Sequence, residues 1–435
     1  MDTTHIRVAF GAILILLLFC HPYLSKAEDA IYLPVDLFSI NCGSTNNFSA
    51  RDGRNWTGDT PSARLSRSPF SYSFPVTQGP KFLRLFFYSS SYHNFDRSKA
   101  YFSVKSGPYT LLQRFNASLN ADDDAGDILF REYCINVEDG ERLNITFIPS
   151  TTDSYAFING IEIVSIPPYL YYTDPHIDNA DLPQLVGQTT PFPIENNHAL
   201  ETMYRLTVAG REIPPSEDTG MLRSWDGGEK YLTSQSGPSV DIAADIKLSF
   251  TNITPYYTAP DQVYRTLRNM GPVASMNMRF NLTWQLPIDS GFFYLLRLHF
   301  CQLDPQKGVP VDRDYVVLIP GNQAKPNLSL KMHPHPKSLT KDAQLNAIEL
   351  FKISDSTGSL AGPNPDAPPQ TQQVPRQISN KKSSGSTKTL VAAVAGAVSC
   401  VLLLSFIVAF FLVKCKKNVV VDNKKDGTSR GDGSS

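Results

Sequence analysis

The sequence predicts an all-β protein with two tandem β-sandwiches, followed by a disordered stalk and one transmembrane helix. The chain of 435 residues contains 25 Phe and 19 Tyr, which suit pleated, half-buried strands. Short segments that alternate between apolar and polar residues are separated by Gly, Pro, Asn and Asp, as in antiparallel sandwiches. A set of these segments occurs twice in the same order, which indicates two copies of one domain.

The first apolar stretch is typical of a signal peptide. It lies between Arg7 and Cys20, and small residues occupy the −3 and −1 positions of a cleavage site after Ala27. Residues 1–27 are therefore predicted to be removed, which gives a mature chain starting at Glu28. An uncleaved N-terminal anchor is the alternative.

The second apolar stretch, residues 390–413, predicts a single-pass membrane protein of type I. Its 24 residues carry no charge, and at about 1.5 Å per residue they cross a hydrocarbon core of about 30 Å. A lysine cluster beginning at Lys414 follows as a stop-transfer signal, which disfavours the alternative of a buried core helix. Residues 28–389 are then outside and residues 414–435 form a cytosolic tail. Cys415, beside the span, is a candidate palmitoylation site.

The repeated segments define domain A (residues 28–168) and domain B (residues 201–354), joined by a connector (residues 169–200). Each copy contains an Arg-x-Trp triplet, a strand with Leu-Arg-Leu and a closing Asn-x-Ile-Glu tetrapeptide. These pairs are Arg54–Trp56 and Arg223–Trp225, Leu83–Phe87 and Leu296–Phe300, and Asn159–Glu162 and Asn346–Glu349. Residues 355–389 are rich in Pro, Gln, Ser, Gly and Lys, a composition that predicts a semi-extended stalk.

The two copies differ in length. Arg84 and Asn144 are 60 residues apart, whereas Arg297 and Asn327 are 30 apart. Domain B is therefore predicted to be shortened by one or two strands. Either the copies diverged, or the chain is a spliced or mis-assembled product.

Seven glycosylation sequons lie in the predicted exterior part, and the tail has none. Because a glycan cannot occupy a core, these positions are predicted to be on the surface. They are Asn47, Asn55, Asn116, Asn144, Asn252, Asn281 and Asn327.

Three cysteines face the predicted oxidising side: Cys42, Cys134 and Cys301. An odd number leaves at least one free or bound to another chain. If a disulfide forms, we expect Cys42–Cys134, since both lie in domain A, and we expect Cys301 to be a buried free thiol on its apolar strand. Spacing alone does not fix the pairing.

Several function classes find little support in the sequence. The formal net charge is −1 and the exterior part has no basic run, which excludes a typical nucleic-acid binder. No catalytic residue, metal site or cofactor is predicted: Asp122–Asp124 fits a solvated loop, and His333 with His335 fits a turn. Glu162 and Glu349 belong to different domains, so structural roles are favoured over a pair of glycosidase carboxylates.

Taken in order, several segments resemble the tandem malectin-like ectodomain of FERONIA-type plant receptors, the Catharanthus receptor-like kinase family. The resemblance covers about residues 31–365 and then the predicted span. The segments are Asn41–Gly43, Ser68–Phe74, Gly107–Leu112, Tyr155–Glu162, Tyr204–Leu206, Asp289–Gly291, Leu296–Cys301 and Leu360–Pro365.

The resemblance implies that each domain is a malectin-like jelly-roll β-sandwich in a protein of the plasma membrane. It also implies binding of rapid alkalinization factor peptides with a glycolipid-anchored co-receptor of the LORELEI type, and in some members contact with cell-wall pectin. Full-length members continue into a cytosolic Ser/Thr kinase. This chain has 22 residues after the span and no kinase signature, so no enzyme activity is predicted.

Tyrosines beside turns are candidate carbohydrate-stacking residues, as in animal malectin, although packing between the domains is the alternative. They are Tyr169, Tyr171, Tyr172, Tyr256 and Tyr257. The leading hypothesis is a kinase-less cell-surface module that binds a secreted peptide, a co-receptor or both. The rivals are a wall-sensing protein that binds pectin and a non-functional fragment of a receptor kinase gene. Peptide capture needs an apolar groove or an open sheet edge, whereas an acidic polysaccharide needs grouped Lys and Arg.

Overall fold

The computed structural model describes residues 31–59, 65–92, 95–123, 128–178, 182–234, 236–251, 254–303, 315–318 and 327–365. The chain divides into two compact units, residues 1–367 and 368–435, and all described residues belong to the first. The predicted signal peptide, the predicted span and Cys415 lie outside the described residues. Within the described ranges, no helix is long and apolar enough to cross a membrane.

Short strands separated by tight turns form the first half, residues 31–168. They are β1 (Leu37–Asn41), β2 (Phe48–Ser49), β3 (Asn55–Gly58), β4 (Leu65–Ser66), β5 (Phe70–Phe74), β6 (Gly79–Tyr88), β7 (Tyr101–Ser106), β8 (Tyr109–Asn116), β9 (Ile128–Val137), β10 (Leu143–Pro149), β11 (Ala156–Phe157) and β12 (Gly160–Ser165), with a 3-10 turn at Arg97–Lys99 and helix α1 at Ala117–Asp123. The predicted alternation is confirmed in β10, where Leu143, Ile145 and Phe147 are buried and Asn144 is exposed.

Two sheets of the first half pack face to face. The larger has the order β9-β6-β12-β1-β3-β2 and the smaller the order β5-β10-β7-β8. Leu85 and Phe87 of β6 meet Phe102 of β7 and Ile145 of β10 in one buried core. This half is therefore a β-sandwich, as predicted.

The second half, residues 200–354, builds a related arrangement. Its elements are β13 (Leu200–Thr207), β14 (Asp226–Gly227), β15 (Ser239–Asp241), α2 (Asp261–Arg265), β16 (Thr266–Asn269), α3 (Ala274–Asn277), β17 (Leu282–Pro287), β18 (Phe293–His299), β19 (Tyr315–Leu318), β20 (Asn327–Pro334), β21 (Gln344–Leu345) and β22 (Ala347–Ile353), with 3-10 turns at Pro215–Glu217, Glu229–Tyr231 and Tyr256–Thr258. Its core contains Trp284, Leu330 and Ile348. Between Cys301 and Asn327 the structure describes only residues 302–303 and β19, so the shortening of the second half stays a prediction.

The two halves share one sheet, which the sequence does not predict. Strand β13 of the second half pairs with β9 of the first, with Leu200 opposite Cys134 and Glu201 opposite Tyr133. The sheet therefore runs β18-β22-β13-β9-β6-β12-β1-β3-β2. The pairing satisfies the backbone groups that an open β9 edge would otherwise present to solvent.

A C-terminal strap, residues 355–365, returns to the first half. Leu360 is fully buried in the first-half core, and its backbone N–H donates to Thr110 O at 2.9 Å. Farther along, Asn364 Oδ1 accepts from Asn116 N at 2.8 Å. The prediction that the stalk begins at residue 355 is therefore wrong, because residues 355–365 are part of the folded unit.

Candidate functional site

A chain of buried ion pairs crosses the shared sheet and connects the two halves. Arg84 donates from Nε to Glu132 and from Nη1 to Glu162, each at 2.7 Å. Arg205 lies 2.9 Å from Glu132 through Nη2 and 2.9 Å from Glu349 through Nε. All five side chains are at most 5% exposed. Glu162 and Glu349 thus lie in one network, although each closes its own sequence repeat.

Strand register explains why these charges meet. In β6, Arg84 lies opposite Glu162 of β12 and Glu132 of β9. In β13, Arg205 lies opposite Glu349 of β22. Alternate residues of a strand point to the same face, so the register places the charges on one face of the sheet.

The ends of the network are held by the two repeated Arg-x-Trp triplets. Arg54 donates to Glu162 at 2.9 Å. Arg223 donates to the hydroxyl of Tyr171 at 3.1 Å, and that hydroxyl donates to Glu349 at 2.9 Å. The Arg of each triplet therefore supports the glutamate that closes the same repeat, directly in one half and through a tyrosine in the other.

Electrostatics keep two of the carboxylates ionised. Burial alone would raise the pKa of Glu132, but Arg205 and Arg84 outweigh burial and lower the pKa to about 2. Burial likewise opposes ionisation of Glu349, yet the hydrogen bond from His299 and the charge of Arg205 lower its pKa. A carboxylate that serves as a general acid needs a raised pKa. The lowered pKa of Glu349 does not suit a general acid, and the structural role of Glu162 and Glu349 stays a prediction that their buried ion pairs support.

Because ionised Glu349 can only accept hydrogen bonds, Nε2 of His299 is the donor in their 3.1 Å contact. Burial lowers the pKa of His299, so the ring is neutral and its Nδ1 accepts from the hydroxyl of Tyr264 at 3.1 Å. The tautomer is thus fixed by its two partners.

A cleft of about 740 Å³ lies beside the network and is lined by both halves and the strap. The five cations that line it all have carboxylate partners. Arg54 binds Glu162, and Lys352 lies 2.5 Å from Glu201 and 2.8 Å from Asp289. These cations are therefore engaged inside the protein, which is unfavourable for binding an acidic polysaccharide in this cleft.

The candidate stacking tyrosines separate into two groups. Tyr171 and Tyr172 are each 3% exposed, and the hydroxyl of Tyr172 donates to Cys134 O and His198 O. Together with Leu170 they pack between the halves, so the prediction that they stack against sugars is wrong.

The remaining tyrosines are more accessible. Tyr169 is 50% exposed, whereas Tyr256 and Tyr257 are half-buried. Tyr169 and Tyr257 line a second cavity of about 840 Å³. Carbohydrate stacking at these three positions stays a prediction.

The cysteines do not form the expected disulfide. Cys42 and Cys134 are separate buried thiols, in different core clusters. In β9, Tyr133 points into the first-half core with Cys42, and Cys134 points to the opposite face. The predicted Cys42–Cys134 pair is therefore wrong in this structure, because the sheet lies between the two sulfur atoms. Cys301 is a free thiol, as expected, but it is only half-buried.

Most of the sequons are accessible. Four asparagines are exposed and two are half-buried, while Asn252 lies outside the described residues. The exposed ones are Asn47, Asn55, Asn144 and Asn327, and the half-buried ones are Asn116 and Asn281. Asn116 Oδ1 also accepts from the backbone of Ser118 at the start of α1. Glycan occupancy stays a prediction.

The weak metal candidates gain no support from the geometry. His333 Nδ1 lies 3.1 Å from Phe280 O, and His335 Nδ1 accepts from Lys337 N in a turn. The side chains of Asp122–Asp124 lie outside the described part. No group of three or more potential metal ligands occurs among the residues that the structure describes.

Sequence reasoning missed the centre of the site. Arg84 and Arg205 each interrupt an apolar strand, and a charge in such a strand was an available signal of a buried partner. Glu132 lies in none of the repeated segments, and the sequence contains no comparable indication that its side chain is buried against a cation.

Comparison with known proteins places this architecture in a class. The family profile described as "Malectin-like domain" matches residues 65–358. A crystal structure of the plant receptor-like kinase FER superposes with a TM-score of 0.66 at 34% identity, covering 76% of this chain and 99% of that one. The fold is therefore that of a malectin-like receptor ectodomain.

Sequence relatives specify the family. The chain is 36% identical to the receptor-like protein kinase FERONIA of Arabidopsis thaliana, over 94% of this chain and 52% of the relative. It is 29% identical to ANXUR1 of the same plant, over 90% of this chain and 52% of the relative. The chain belongs to the malectin-like family of FERONIA and ANXUR receptor kinases. It spans about half the length of these curated relatives.

Another related structure contains binding partners. It is a crystal structure of the plant peptide RALF23 in complex with FER and LLG2, and its matching chain superposes with a TM-score of 0.67 at 34% identity. The match covers 77% of this chain and 99% of that one.

Proposed function

We propose that this chain is a cell-surface binding module that captures a rapid alkalinization factor-type peptide together with a glycolipid-anchored co-receptor. The observation that supports it is the likeness to the FER chain solved with RALF23 and LLG2, nearly all of which is matched. The shared sheet and the buried network hold the two halves together as one body. Their common surface is therefore preorganised for a partner that consists of a peptide and its co-receptor.

The proposal includes a single-pass type I topology in the plasma membrane with glycans on the exterior part. It assigns ligand capture to the folded unit that ends at residue 367. Expression of that unit beside a full-length receptor kinase of the family should then reduce peptide responses, because the unit sequesters peptide or co-receptor.

Peptide capture is preferred over pectin binding for two structural reasons. Two of the five candidate stacking tyrosines are buried, and Arg54 and Lys352 of the cleft are already paired. Both features weaken the carbohydrate alternative.

A titration tests the proposal. The compact unit that ends at residue 367 is expressed as a secreted protein and titrated with a rapid alkalinization factor peptide, with and without a purified LORELEI-type co-receptor, and the heat of binding is measured. We expect binding at micromolar concentrations or below that strengthens when both partners are present, and the FERONIA ectodomain serves as the positive control. A monodisperse chain that binds neither partner, beside a control that does, contradicts the proposal.

A further inference from the structure

Strand β18 of the second half is the counterpart of β6 in the first half. Both contain the Leu-Arg-Leu sequence of the repeat, which places Arg297 where β6 has Arg84. On one side their neighbours are also equivalent, since β6 pairs with β12 and β18 pairs with β22, the strands that close the two repeats. Arg84 lies opposite Glu162 in the first pair, and Arg297 lies opposite Glu349 in the second. The register of the two strand pairs is therefore the same.

The other edges of the two strands differ. All ten residues of β6 pair in antiparallel register with β9. In the part of the chain that the structure describes, no strand pairs with the corresponding edge of β18, which is the last strand of the shared sheet. This edge therefore presents backbone N–H and C=O groups that no described strand satisfies, and such an edge is a template for pairing with another chain.

The strand on the second edge of β6 supplies a hydrogen-bond partner for Arg84. Nε of Arg84 donates to Glu132 of β9 at 2.7 Å. Its Nη1 donates to Glu162 at 2.7 Å, and its Nη2 donates to Met221 O at 2.9 Å. All three nitrogens of the guanidinium group are thus engaged, and the side chain is only 1% exposed.

Arg297 has counterparts of two of these three partners. Its Nη2 donates to Leu170 O, and its Nη1 lies 3.8 Å from Glu349, which is too far for a hydrogen bond. Among the described residues, none accepts a hydrogen bond from Nε of Arg297, and 28% of this side chain is exposed. Arg297 therefore lacks the carboxylate that β9 provides to Arg84.

The second cavity, of about 840 Å³, adjoins the open edge. Its lining includes Arg297 and His299 from one face of β18 and Leu298 from the other. Because neighbouring residues of a strand point to opposite faces, a cavity that touches all three adjoins the backbone edge between them. Tyr169 and Tyr257 line the same cavity. Its volume lies within the range of about 300–1,000 Å³ that is typical of ligand sites.

Charge complementarity selects the kind of strand that fits this edge. Two copies of the chain that paired through β18, centred on Arg297, would place like charges opposite each other, which is destabilising. A strand with a carboxylate at that position would instead accept from Nε, as Glu132 accepts from Arg84. An acidic strand of a different protein is therefore favoured over a second copy.

We infer that the open edge of β18 binds an extended segment of a partner protein by antiparallel strand pairing, and that this segment presents a carboxylate opposite Arg297. Strand β9 is the template for the segment. In β9, Tyr133 follows Glu132 and lies opposite the first leucine of the Leu-Arg-Leu sequence of β6. An aromatic or apolar residue is therefore expected directly after the carboxylate, opposite Leu296. This inference does not rest on the capture of a rapid alkalinization factor peptide.

The test uses the compact unit that ends at residue 367 and a labelled synthetic peptide. The peptide has the sequence of β9, residues 128–137, with Cys134→Ser to prevent disulfide formation. Fluorescence anisotropy should show saturable binding. The change Glu132→Gln in the peptide should weaken binding about tenfold or more, because the hydrogen bond to Arg297 loses its acceptor charge.

Backbone methylation of the peptide tests the geometry of binding. Alternate residues of an antiparallel strand direct their N–H groups to the same neighbouring strand. One peptide carries N-methyl groups at the even-numbered positions and another carries them at the odd-numbered positions. One of the two should lose saturable binding and the other should retain it, since only one set of N–H groups faces β18.

A variant of the protein locates the site. With Arg297→Gln, the peptides with Glu132 and with Gln at that position should bind equally well, which measures the coupling of the two side chains in a double-mutant cycle. Arg211→Gln is the matched control, because Arg211 belongs to the second half and is 54% exposed. It should preserve the preference for the acidic peptide. The thermal midpoint of each variant is compared with that of the parent unit, and the peptide variants test the inference on the parent unit alone.

Four results would overturn the inference. The first is no saturable peptide binding up to about 1 mM, the weak end of measurable affinity, which is the result expected if another part of this chain occupies the edge. The second is equal affinity of the parent unit for the acidic peptide and its Gln variant. The third is equal binding of the two methylated peptides, which excludes strand pairing. The fourth is a dimer in sedimentation that the peptide dissociates, which assigns the edge to a second copy.

Discussion

The central prediction concerns Glu132, where the two halves meet. Glu132 accepts hydrogen bonds from Arg84 at 2.7 Å and from Thr202 at 2.7 Å, and Arg205 lies 2.9 Å away. Replacement by Gln removes the charge and leaves two buried guanidinium groups without their shared carboxylate. Breaking a buried pair in this way costs about 3–5 kcal/mol.

The lowered pKa of Glu132 gives a second, independent value for the free energy of folding that its charge contributes. Folding lowers that pKa from its ordinary value of 4.5 to about 2, which corresponds to about 3 kcal/mol at neutral pH. A carboxylate whose pKa is lowered by folding stabilises the protein above its unfolded-state pKa. This stability is lost as the pH falls from about 4.5 toward 2.

The assay is urea unfolding of the compact unit ending at residue 367, followed by tryptophan fluorescence at pH 7 and pH 3. We expect Glu132→Gln to lower the unfolding free energy by about 3 kcal/mol at pH 7 and by roughly half as much at pH 3. Asp153→Asn is the control. A hydrogen bond from Lys99 lowers the pKa of Asp153 to about 2 as well, but both partners are more than half exposed, so the midpoint should not change.

Two results would refute this reasoning. One is a loss smaller than about 1 kcal/mol at pH 7, since that is the size expected of an exposed pair. The other is a loss of equal size at both pH values, which would show that packing rather than charge accounts for the effect.

Three further outcomes are expected. Leu360→Ala should destabilise the folded unit by about 2–5 kcal/mol in urea unfolding, whereas Leu339→Ala, at an 87% exposed position, should have little effect; equal effects would contradict the burial of the strap. Tyr171→Phe should cost about 1–3 kcal/mol, because Glu349 and an arginine lose a buried hydroxyl, and it should not alter oligosaccharide binding in a glycan-array assay. Alkylation followed by mass spectrometry should find Cys42 and Cys134 as thiols that react only after unfolding, and a linked peptide pair in a non-reducing digest would disprove their separation.

Much of the fold could be predicted from the sequence, since it depends on local patterns. Period-two alternation located β10, with Asn144 on the solvent side. The ordered repeat identified the equivalent strands and the Arg-x-Trp triplets of the two halves. The ordered set of motifs indicated the malectin-like family, which the family profile over residues 65–358 confirms.

Only the tertiary structure decided how the two halves combine. The pairing of β9 with β13 depends on which edge is open after each half has formed, and no periodicity in either strand contains that information. The same holds for Leu360. It lies in a Gly- and Pro-rich stretch that predicts a linker, and only the folded structure shows it buried in the first-half core.

The same physical reason governs the site. Sequence alone showed charges in apolar strands, but pairing Arg84 with Glu132 requires the register of two strands that are distant along the chain. Cys134 could pair with Cys42 only if its side of β9 faced the first-half core, and the packing of the sheets decides which side of β9 does so. Local periodicity fixes which residues share a face, whereas tertiary packing decides what lies across from that face, because those contacts join distant parts of the chain.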